Sequence, residues 1–451
     1  METDKEQINV NSEESKQDNY VNKNKGKFPW VLTGSIFIGC FAFSLISASI
    51  LAGTPFRKSL SAHLPHARSN DSLIPDTLTR PVNILFLGID NSGHPHSQDP
   101  THTQALAGNS DTMLLVRLMP DTHKINVLSI PRDTLVELPG KGIDKINDAN
   151  VIGGAEAAAK SVSNLLSNIP IDHYVRVDTE GFIELVNVLG DVEVNIPKAM
   201  HYVDKTQKLY IDFQPGKQKL NGQHFQEYVR FRHDALGDIG RVQRQQEALK
   251  ALLQSLLKPE TVAKIPQLLG VIKNNVDTDF SIGEILGIFD FLSHSDRKNI
   301  SLVMLPGRFS ERSEYKRSYW IANHETIPAI LKNYFNVAND QAYTNSNNIK
   351  GNKTQISKIR LAIIDSTKKT RQANKAALFL GRHGFPHTYI SNHEVDADNF
   401  PLTHTKIIAQ KGDIAAANAV KEALGIGTVE IDSIGDIDSD ITVIIGQDFG
   451  K

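Results

Sequence analysis

The sequence contains a single cysteine, Cys40, among its 451 residues. One cysteine can form neither an intramolecular disulfide nor a zinc site built from several cysteines, so both are excluded. A strong net charge is also absent, because the formal charge is -2 at pH 7. Proteins dedicated to nucleic acids are normally clearly basic, so we expect no nucleic acid partner.

The first residues are poor in apolar side chains, and residues 1–27 are predicted to be a disordered tail. An uncharged run then extends from Phe28 to Phe56, which is long enough to cross a bilayer. We predict a transmembrane helix at 28–52. A cleaved signal peptide is disfavoured, because the run is longer than a signal core and begins well into the chain. A lipoprotein signal ending at Cys40 is disfavoured because residues 41–51 stay apolar.

Basic residues flank this run unevenly. Lys23, Lys25 and Lys27 precede it, against Arg57 and Lys58 after it. This bias favours a cytoplasmic N-terminus in a single-pass protein of the cell membrane, with the following domains outside. A linker rich in Ser, Pro and His is predicted at 53–80.

The length suggests two folded units, and alternating strand and helix patterns predict the α/β class. In the first unit, 81–335, a mixed central sheet flanked by helices is expected. A helix should bury the face from Ala155 to Leu166, Thr179 should cap a second helix that stops at Gly190, and Ser281–Glu284 has the capping-box pattern.

Three charged residues stand at strand ends. Asp90 ends the first predicted strand, Asp111 begins the second, and Arg132 follows the third. Because a hairpin joins the second and third strands, Asp111 and Arg132 should meet at one sheet edge, and Asp90 joins them if the first strand runs parallel to the third. Two carboxylates and an arginine suit a phosphate site assisted by Mg²⁺ or Mn²⁺. Ordinary turn chemistry is the alternative, since Asp is common at strand ends.

A second basic cluster lies between Tyr228 and Leu256. Apolar residues at 248, 249, 252, 253 and 256 have helical spacing, and the same stripe reaches back to Gln245 and Arg241, with Arg244 nearby. Arg230 and Arg232 would share one side if their segment is extended. Asp238 can cap the helix, but it cannot neutralise four arginines. We therefore predict an anion site here, and a solvated basic face is the alternative.

A linker is predicted at 336–357, where the chain becomes rich in Asn, Thr and Gly. A smaller α/β domain should follow at 358–451, with strands near 359–364, 387–390, 406–410, 429 and 442–445 and helices at 368–381 and 413–424. Its sequence shows no cluster of acids, histidines or arginines typical of a catalytic site. We expect a role in binding or positioning.

Six motifs occur in a fixed order between Pro81 and Leu305. They are N-I-L-F-L-G-I-D, S-D-T-M-L-L-V, L-S-I-P-R-D-T, K-I-N-D-A, L-N-G-Q-H-F-Q-E-Y-V-R-F-R-H-D and G-D-I-G-R-V-Q-R-Q-Q. This order closely resembles the LytR-CpsA-Psr family of bacterial cell-wall enzymes. Residues 357–451 resemble the LytR-type C-terminal domain, although I-D-S-T stands where that domain often has an Asn-Gly turn.

The resemblance implies transfer of a glycopolymer, with its proximal phosphate, from a polyprenyl-pyrophosphate-linked donor to a sugar hydroxyl of a peptidoglycan acceptor. It implies that Asp90 and Asp111 hold Mg²⁺. The pyrophosphate would be bound by arginines, with Asp238 and Gln245 completing the pocket, and those arginines are Arg132, Arg230, Arg232 and Arg241. As a hypothesis, Asp90 or Asp238 helps to deprotonate the acceptor.

The lipid would need an apolar channel, for which the faces Ala155 to Leu166 and Ala248 to Leu256 are candidates, although most of those side chains should be core. An insertion with His94, His96 and His102 is interpreted as a lid or rim loop, and a metal site there is the disfavoured alternative. Two alternatives remain open. One is a hydrolase of the lipid pyrophosphate, and the other is a non-catalytic envelope regulator or scaffold.

Overall fold

The computed structural model describes residues 76–90, 106–196, 198–204, 209–231, 238–336, 356–367, 371–391 and 401–450, without the side chains of Asp90, Arg297 and 238–243. The predicted membrane helix, the tail before it and the histidine-rich insertion lie outside these ranges. Among the described helices, none combines the length and the apolar character needed to cross a membrane. All described residues fall within one compact unit, Leu64–Lys451.

The larger module comprises the described residues from 76 to 336. Its strands are β1 Val82–Asp90, β2 Asn109–Met119, β3 Lys124–Ser129, β4 Leu135–Leu138, β5 Gly142–Lys145, β6 His173–Asp178, β7 Val192–Ile196, β8 Met200–Asp204, β9 Leu209–Phe213, β10 Gly216–Leu220, β11 Val276–Thr278, β12 Ile300–Met304, β13 Gly307–Phe309 and β14 Trp320–Ala322. Its α-helices are α1 Ala149–Leu165, α2 Thr179–Leu189, α3 Gly222–Arg230, α4 Asp238–Leu256, α5 Ile265–Asn275, α6 Ile282–Ser293 and α7 Ile327–Phe335.

Six strands form the central sheet in the order β11-β6-β1-β2-β3-β12. The neighbours β1, β2 and β3 are antiparallel in succession, whereas β6 runs parallel to β1 and β12 parallel to β3. A 3₁₀ turn at Pro120–Thr122 joins β2 to β3, and His123 closes it with a φ of 50°. The predicted hairpin and mixed sheet are therefore confirmed.

Alternation along the strands gives the sheet two apolar faces. Leu85 and Leu87 pack into a core with α1 and α7, whereas Ile84 belongs to a core that includes residues of α6 and is contacted by residues of α4. Successive side chains of a strand point to opposite faces, so β1 serves both cores. Helices thus cover both faces of the sheet.

Helix ends follow local side-chain chemistry. Ser281 and Glu284 form the predicted capping box at the start of α6. At α2 the prediction was displaced by one residue, because the cap is Asp178, whose carboxylate accepts the Gly181 N–H at 2.8 Å. Thr179 is instead the first helical residue, and Gly190, with a φ of 85°, ends the helix as predicted.

The C-terminal module comprises the described residues from 356 to 450. Its strands are β15 Arg360–Asp365, β16 His387–Ile390, β17 Lys406–Ile408, β18 Thr428–Glu430 and β19 Ile441–Ile445, and its helices are α8 Arg371–Arg382 and α9 Ile414–Leu424. The sheet order is β16-β15-β19-β17-β18, with β17 antiparallel to β19. Each predicted strand and helix of this module is present, with ends shifted by a few residues.

Candidate functional site

An irregularity in the β1–β2 pairing sets the position of Asp111. Gly88 pairs with Thr112 and Ile89 pairs with Ser110, so Asp111 is the extra residue of a register shift. Such bulges re-aim a side chain and are frequent beside functional sites. The pairing of Asp90 with Asn109 places the Asp90 backbone at the same sheet edge. The sequence contained no pattern that would have predicted this bulge.

Arg132 and Asp111 meet at this edge, as predicted from the hairpin. The Arg132 Nη1 atom lies 2.7 Å from Asp111 Oδ1, and the two side chains are 22% and 25% exposed. A partly exposed ion pair of this kind is accessible to a ligand while the protein holds it in one geometry. It offers a guanidinium to phosphate oxygens and a carboxylate to a cation or a hydroxyl.

The turn that carries Arg132 is held by the segment K-I-N-D-A. Lys145 Nζ lies 2.7 Å from Asp133 Oδ1, next to Arg132 in sequence. The Asn147 N–H donates to the Arg132 carbonyl at 3.2 Å, and the Ile146 N–H donates to the Thr134 carbonyl at 2.8 Å. The sequence identified this motif without explaining it. Its structural role is to position the arginine.

Asn150 fixes the segment that leads into β2. Its amide Nδ2 donates to the carbonyls of Leu106 and Gly108 at 2.8 and 2.7 Å. Arg176 Nη1 donates to Asn150 Oδ1 at 3.2 Å and is itself paired with Asp277. These contacts hold the strand that presents Asp111.

A cavity of about 450 Å³ opens at Arg132 and Asp111 and extends between the sheet and its helices. Its polar lining lies at the strand ends and includes Arg230 and Gln245. The far lining reaches Leu292, whose neighbour Phe291 stacks on His123 in the β2–β3 turn. Apolar side chains dominate its inner part, among them Leu252, Leu256, Leu268, Ile272, Phe280, Ile288 and Phe289.

Of the two faces proposed for a lipid channel, one lines this cavity. Ala248, Leu249, Leu252 and Leu256 of α4 contribute to the wall. The α1 face from Ala155 to Leu166 does not, because α1 packs on the opposite face of the sheet, where most of its apolar side chains belong to the buried core. Periodicity identified both helices as amphipathic, but it could not assign them to different faces.

The arginines of the second basic cluster have different surroundings. Arg230 is the last residue of α3 and lines the cavity, so the condition of an extended segment, under which Arg230 and Arg232 would share one side, is not met at Arg230. Arg244 is 5% exposed, donates to the Phe231 carbonyl at 2.6 Å and stacks over the Phe231 ring. It does not line the cavity, and its contacts with Phe231 tie α4 to the end of α3. The predicted convergence of four arginines on an anion therefore does not include Arg244.

The structure describes the remaining predicted site residues only in part or not at all. Asp238 begins α4 and Arg241 stands in its first turn, but their side chains are not described. Arg232 lies outside the described ranges. Their proposed roles remain predictions from the sequence.

Gln246 is a site residue that the sequence did not reveal. It is 4% exposed, lines the cavity, and its amide Nε2 lies 2.7 Å from Ser129 Oγ at the end of β3. The contact joins α4 to the strand that precedes Arg132. A buried Gln in this polar stretch has no distinctive sequence signal.

The Asp111 carboxylate would hold Mg²⁺ at this edge only together with further ligands. Within the described part of the chain, no group of three or more His, Cys, Asp or Glu side chains could hold a metal. Mg²⁺ is commonly bound by one or two carboxylates together with substrate phosphates and water. Asp111 could supply one carboxylate in that mode of binding.

Comparison with known proteins adds to this geometry. Residues 55–336 match the model of the LytR_cpsA_psr family, and residues 358–449 match a model described as LytR cell envelope-related transcriptional attenuator. The polyisoprenyl-teichoic acid–peptidoglycan teichoic acid transferase TagV of Bacillus subtilis is 32% identical over 282 residues, 59% of this chain and 69% of TagV.

Other relatives include TagU of Enterococcus faecalis, which carries the same transferase name and is 34% identical over 48% of this chain and 68% of its own length. The crystal structure of B. subtilis TagV covers 58% of this chain and 100% of its own, with 29% identity and a TM-score of 0.49. The family match extends over more than half of the sequence and includes Asp111, Arg132, Arg230, Gln245 and Gln246. The chain therefore belongs to the LytR-CpsA-Psr family.

Proposed function

We propose that this chain transfers a glycopolymer from a polyprenyl-pyrophosphate carrier to peptidoglycan. The observation that carries the proposal is the ion pair of Arg132 and Asp111 at the mouth of an apolar cavity. A diphosphate joined to a long hydrocarbon needs cationic donors beside an apolar channel, and this site offers both. The teichoic acid transferase names of the relatives agree with such a substrate.

The reaction is a phosphoryl transfer. The acceptor hydroxyl oxygen forms a bond to the glycan-linked phosphorus, and the bond from that phosphorus to the polyprenyl phosphate oxygen breaks. Polyprenyl phosphate leaves, and the hydroxyl proton passes to a carboxylate, for which Asp90 or Asp238 is our hypothesis. Arg132 and Arg230, both in the cavity wall, bind the phosphate oxygens and stabilise the charge that develops on them.

Mg²⁺ is part of the proposal, with Asp90 and Asp111 as its ligands and Mn²⁺ as a substitute. When bound, the ion would neutralise phosphate charge. Chelation with EDTA should abolish transfer, and added Mg²⁺ should restore it. Full activity in EDTA would refute the metal requirement.

We also propose that residues 28–52 anchor the protein in the cell membrane, with the N-terminus in the cytoplasm and the site outside. The uncharged run and the preceding lysines support this topology. Protease added to intact protoplasts should digest the part after residue 57. Protection of that part would contradict the proposal.

Arg132→Ala tests the function directly. We expect transfer of labelled polymer to peptidoglycan to fall by about 10²- to 10³-fold, because a guanidinium that stabilises the transferring phosphate is lost. Arg80→Ala is the control, since Arg80 is 64% exposed and pairs with Asp172 away from the cavity. Unchanged transfer in the Arg132 variant would favour a non-catalytic envelope regulator. If the parent protein releases phosphate from the lipid-linked donor but attaches no polymer to peptidoglycan, the hydrolase is favoured.

A further inference from the structure

The C-terminal module is docked on the larger module by specific contacts. The Tyr334 hydroxyl of α7 donates to the Gly412 carbonyl at 3.2 Å, and the Met304 N–H donates to the Gln410 carbonyl at 3.1 Å. Lys250 of α4 forms an ion pair with Asp432. The docking surface thus contacts the helix that lines the cavity.

Lys411 is the most unusual residue of this surface. Its side chain is 6% exposed, and its ammonium donates to the Gly307 carbonyl and to Asp440, both at 3.2 Å. The same ammonium lies 5.9 Å from the centre of the Trp320 ring. A buried lysine requires partners on every side, and here both modules supply them. The contact is therefore geometrically defined.

One residue of the C-terminal module reaches the cavity wall. Ile437 is 3% exposed, belongs to the same buried cluster as Trp320, and lines the cavity with Phe309 and Trp320. Trp320 is adjacent to the turn of Arg132, because the backbone N–H of Trp320 donates to the Asp133 carbonyl at 2.9 Å. Ile437 thus contributes to the cavity at its polar end, across the strand ends from the apolar channel.

Phe309 gives this part of the wall its chemistry. Its half-buried ring lines the cavity, and Trp320 supports it edge-on at 5.2 Å between ring centres. Aromatic faces carry negative charge density that attracts the polarised C–H groups of a sugar ring. A sugar approaching Arg132 from the side opposite the lipid would meet this surface.

We propose that the C-terminal module completes a sugar-binding wall of the transferase site, through Ile437 packed beside Phe309 and Trp320. The proposal rests on the transferase function proposed above. The sugar can belong to the acceptor or to the donor next to its phosphate, since both carry pyranose rings. Loss of docking should therefore impair transfer without removing the phosphate-binding groups of the larger module.

Gly412→Val is designed to disrupt docking by steric clash. A Cβ at Gly412 would lie 2.6 Å from Ile330 Cδ1 and 2.9 Å from Tyr334 Cε2, so a side chain there pushes against α7. Gly425→Val is the matched control. Gly425 has a φ of 69° against 75° for Gly412, but no heavy atom lies within 4 Å of its Cβ position. Both variants strain the module backbone, and only Gly412→Val places a side chain against α7.

The fluorescence of Trp320 reports on docking independently of the transfer assay. The sequence has two tryptophans, so Trp30→Phe in the full-length protein leaves Trp320 as the sole emitter. Trp320 is 1% exposed, and acrylamide should quench it poorly in the parent and in Gly425→Val. In Gly412→Val we expect quenching to increase severalfold.

Transfer and hydrolysis are then compared in the same variants. We expect Gly412→Val to lower transfer to peptidoglycan by about tenfold, the effect of losing one good apolar contact. A raised KM for peptidoglycan would assign the wall to the acceptor sugar, and a raised KM for the lipid-linked donor would assign it to the donor sugar. Increased quenching with normal transfer would overturn the proposal, and so would normal quenching.

The ion pair of Lys250 and Asp432 supplies an independent test. Lys250→Asp or Asp432→Lys should increase quenching and lower transfer, and the double exchange should restore both. Glu422→Lys, on the exposed side of α9, is the charge control. Failure of the double exchange to restore transfer would contradict the proposal. Retained transfer in Arg132→Ala would instead reject the proposed transferase site around Arg132, whatever the quenching shows.

Discussion

The two sheets of this protein are built from the same alternation of strands and helices, yet they use their strand-end carboxylates differently. In the larger module, Asp111 follows a register shift and faces a cavity with Arg132. In the C-terminal module, Asp365 ends β15 and accepts the Thr367 N–H at 2.7 Å and the Thr367 hydroxyl at 2.6 Å.

Like Asp365, two further acids of the C-terminal module accept hydrogen bonds from groups of their own module. Asp448 accepts the N–H of Thr405 at 2.9 Å, and Asp436 accepts the hydroxyl of Tyr389, also at 2.9 Å. Burial, followed by nearby acids, raises the pKa of Tyr389 above its ordinary value. These carboxylates stabilise loops. The comparison shows that strand-end acids in the two modules have different partners, a cation at a cavity for Asp111 and groups of nearby loops for the acids of the C-terminal module.

The largest difference between the sheets should be seen in activity. Asp111→Asn should lower transfer by about 10²-fold, because the variant loses a charge that positions Arg132 and contributes to the proposed metal site. Asp365→Asn should leave transfer within about twofold while costing about 1 kcal/mol in unfolding free energy, since it weakens a loop cap. Polymer transfer and urea unfolding of both variants measure the two effects. Equal losses of activity would break the comparison.

A second test concerns the two faces of the central sheet. Leu252→Gln, in the cavity wall, should raise the KM for the lipid-linked donor by about tenfold, because a polar group replaces apolar contact worth about 1.4 kcal/mol. Val162→Thr, in the α1 core, should instead lower the unfolding free energy by about 1–3 kcal/mol.

Donor-dependence kinetics and urea titrations of both variants distinguish these outcomes. A normal donor KM in Leu252→Gln would remove the α4 face from the lipid channel.

The smallest effect concerns the contact between modules. Burial, opposed by Asp440, lowers the pKa of Lys411 below its ordinary 10.5. In the window between the lowered pKa and 10.5, the unfolded chain holds more protons, so the stability of the folded protein should rise with pH. Lys411→Met should flatten this rise. Urea unfolding from about pH 7 to about pH 10 measures it, and parallel curves for parent and variant would show that Lys411 does not contribute.

Much of the architecture followed from local patterns. The β2–β3 hairpin, the capping box at Ser281 and the α/β pattern of the C-terminal module were all predictable. The meeting of Asp111 and Arg132 was predictable as well, because a hairpin brings the start of one strand to the end of the next.

Other features depended on contacts between distant segments. An extended segment at Arg230 was considered as a condition, but the Asn221 side chain caps α3 by accepting the His224 N–H, and the helix continues to Arg230. Arg244 was grouped with the anion ligands, although it binds the Phe231 carbonyl. The spacing of arginines cannot distinguish a side chain that faces a cavity from one that faces the backbone.

By itself, the sequence determined most helices and strands, the family motifs and the sheet edge at which Asp111 and Arg132 meet. These features follow from hydrophobic periodicity and from turn-forming residues, which both act over a few residues. The tertiary structure alone decided which helix face lines the cavity, which arginine is structural and where Ile437 packs. Those outcomes depend on how whole elements fill space around one another, and close packing is a property of the assembled chain.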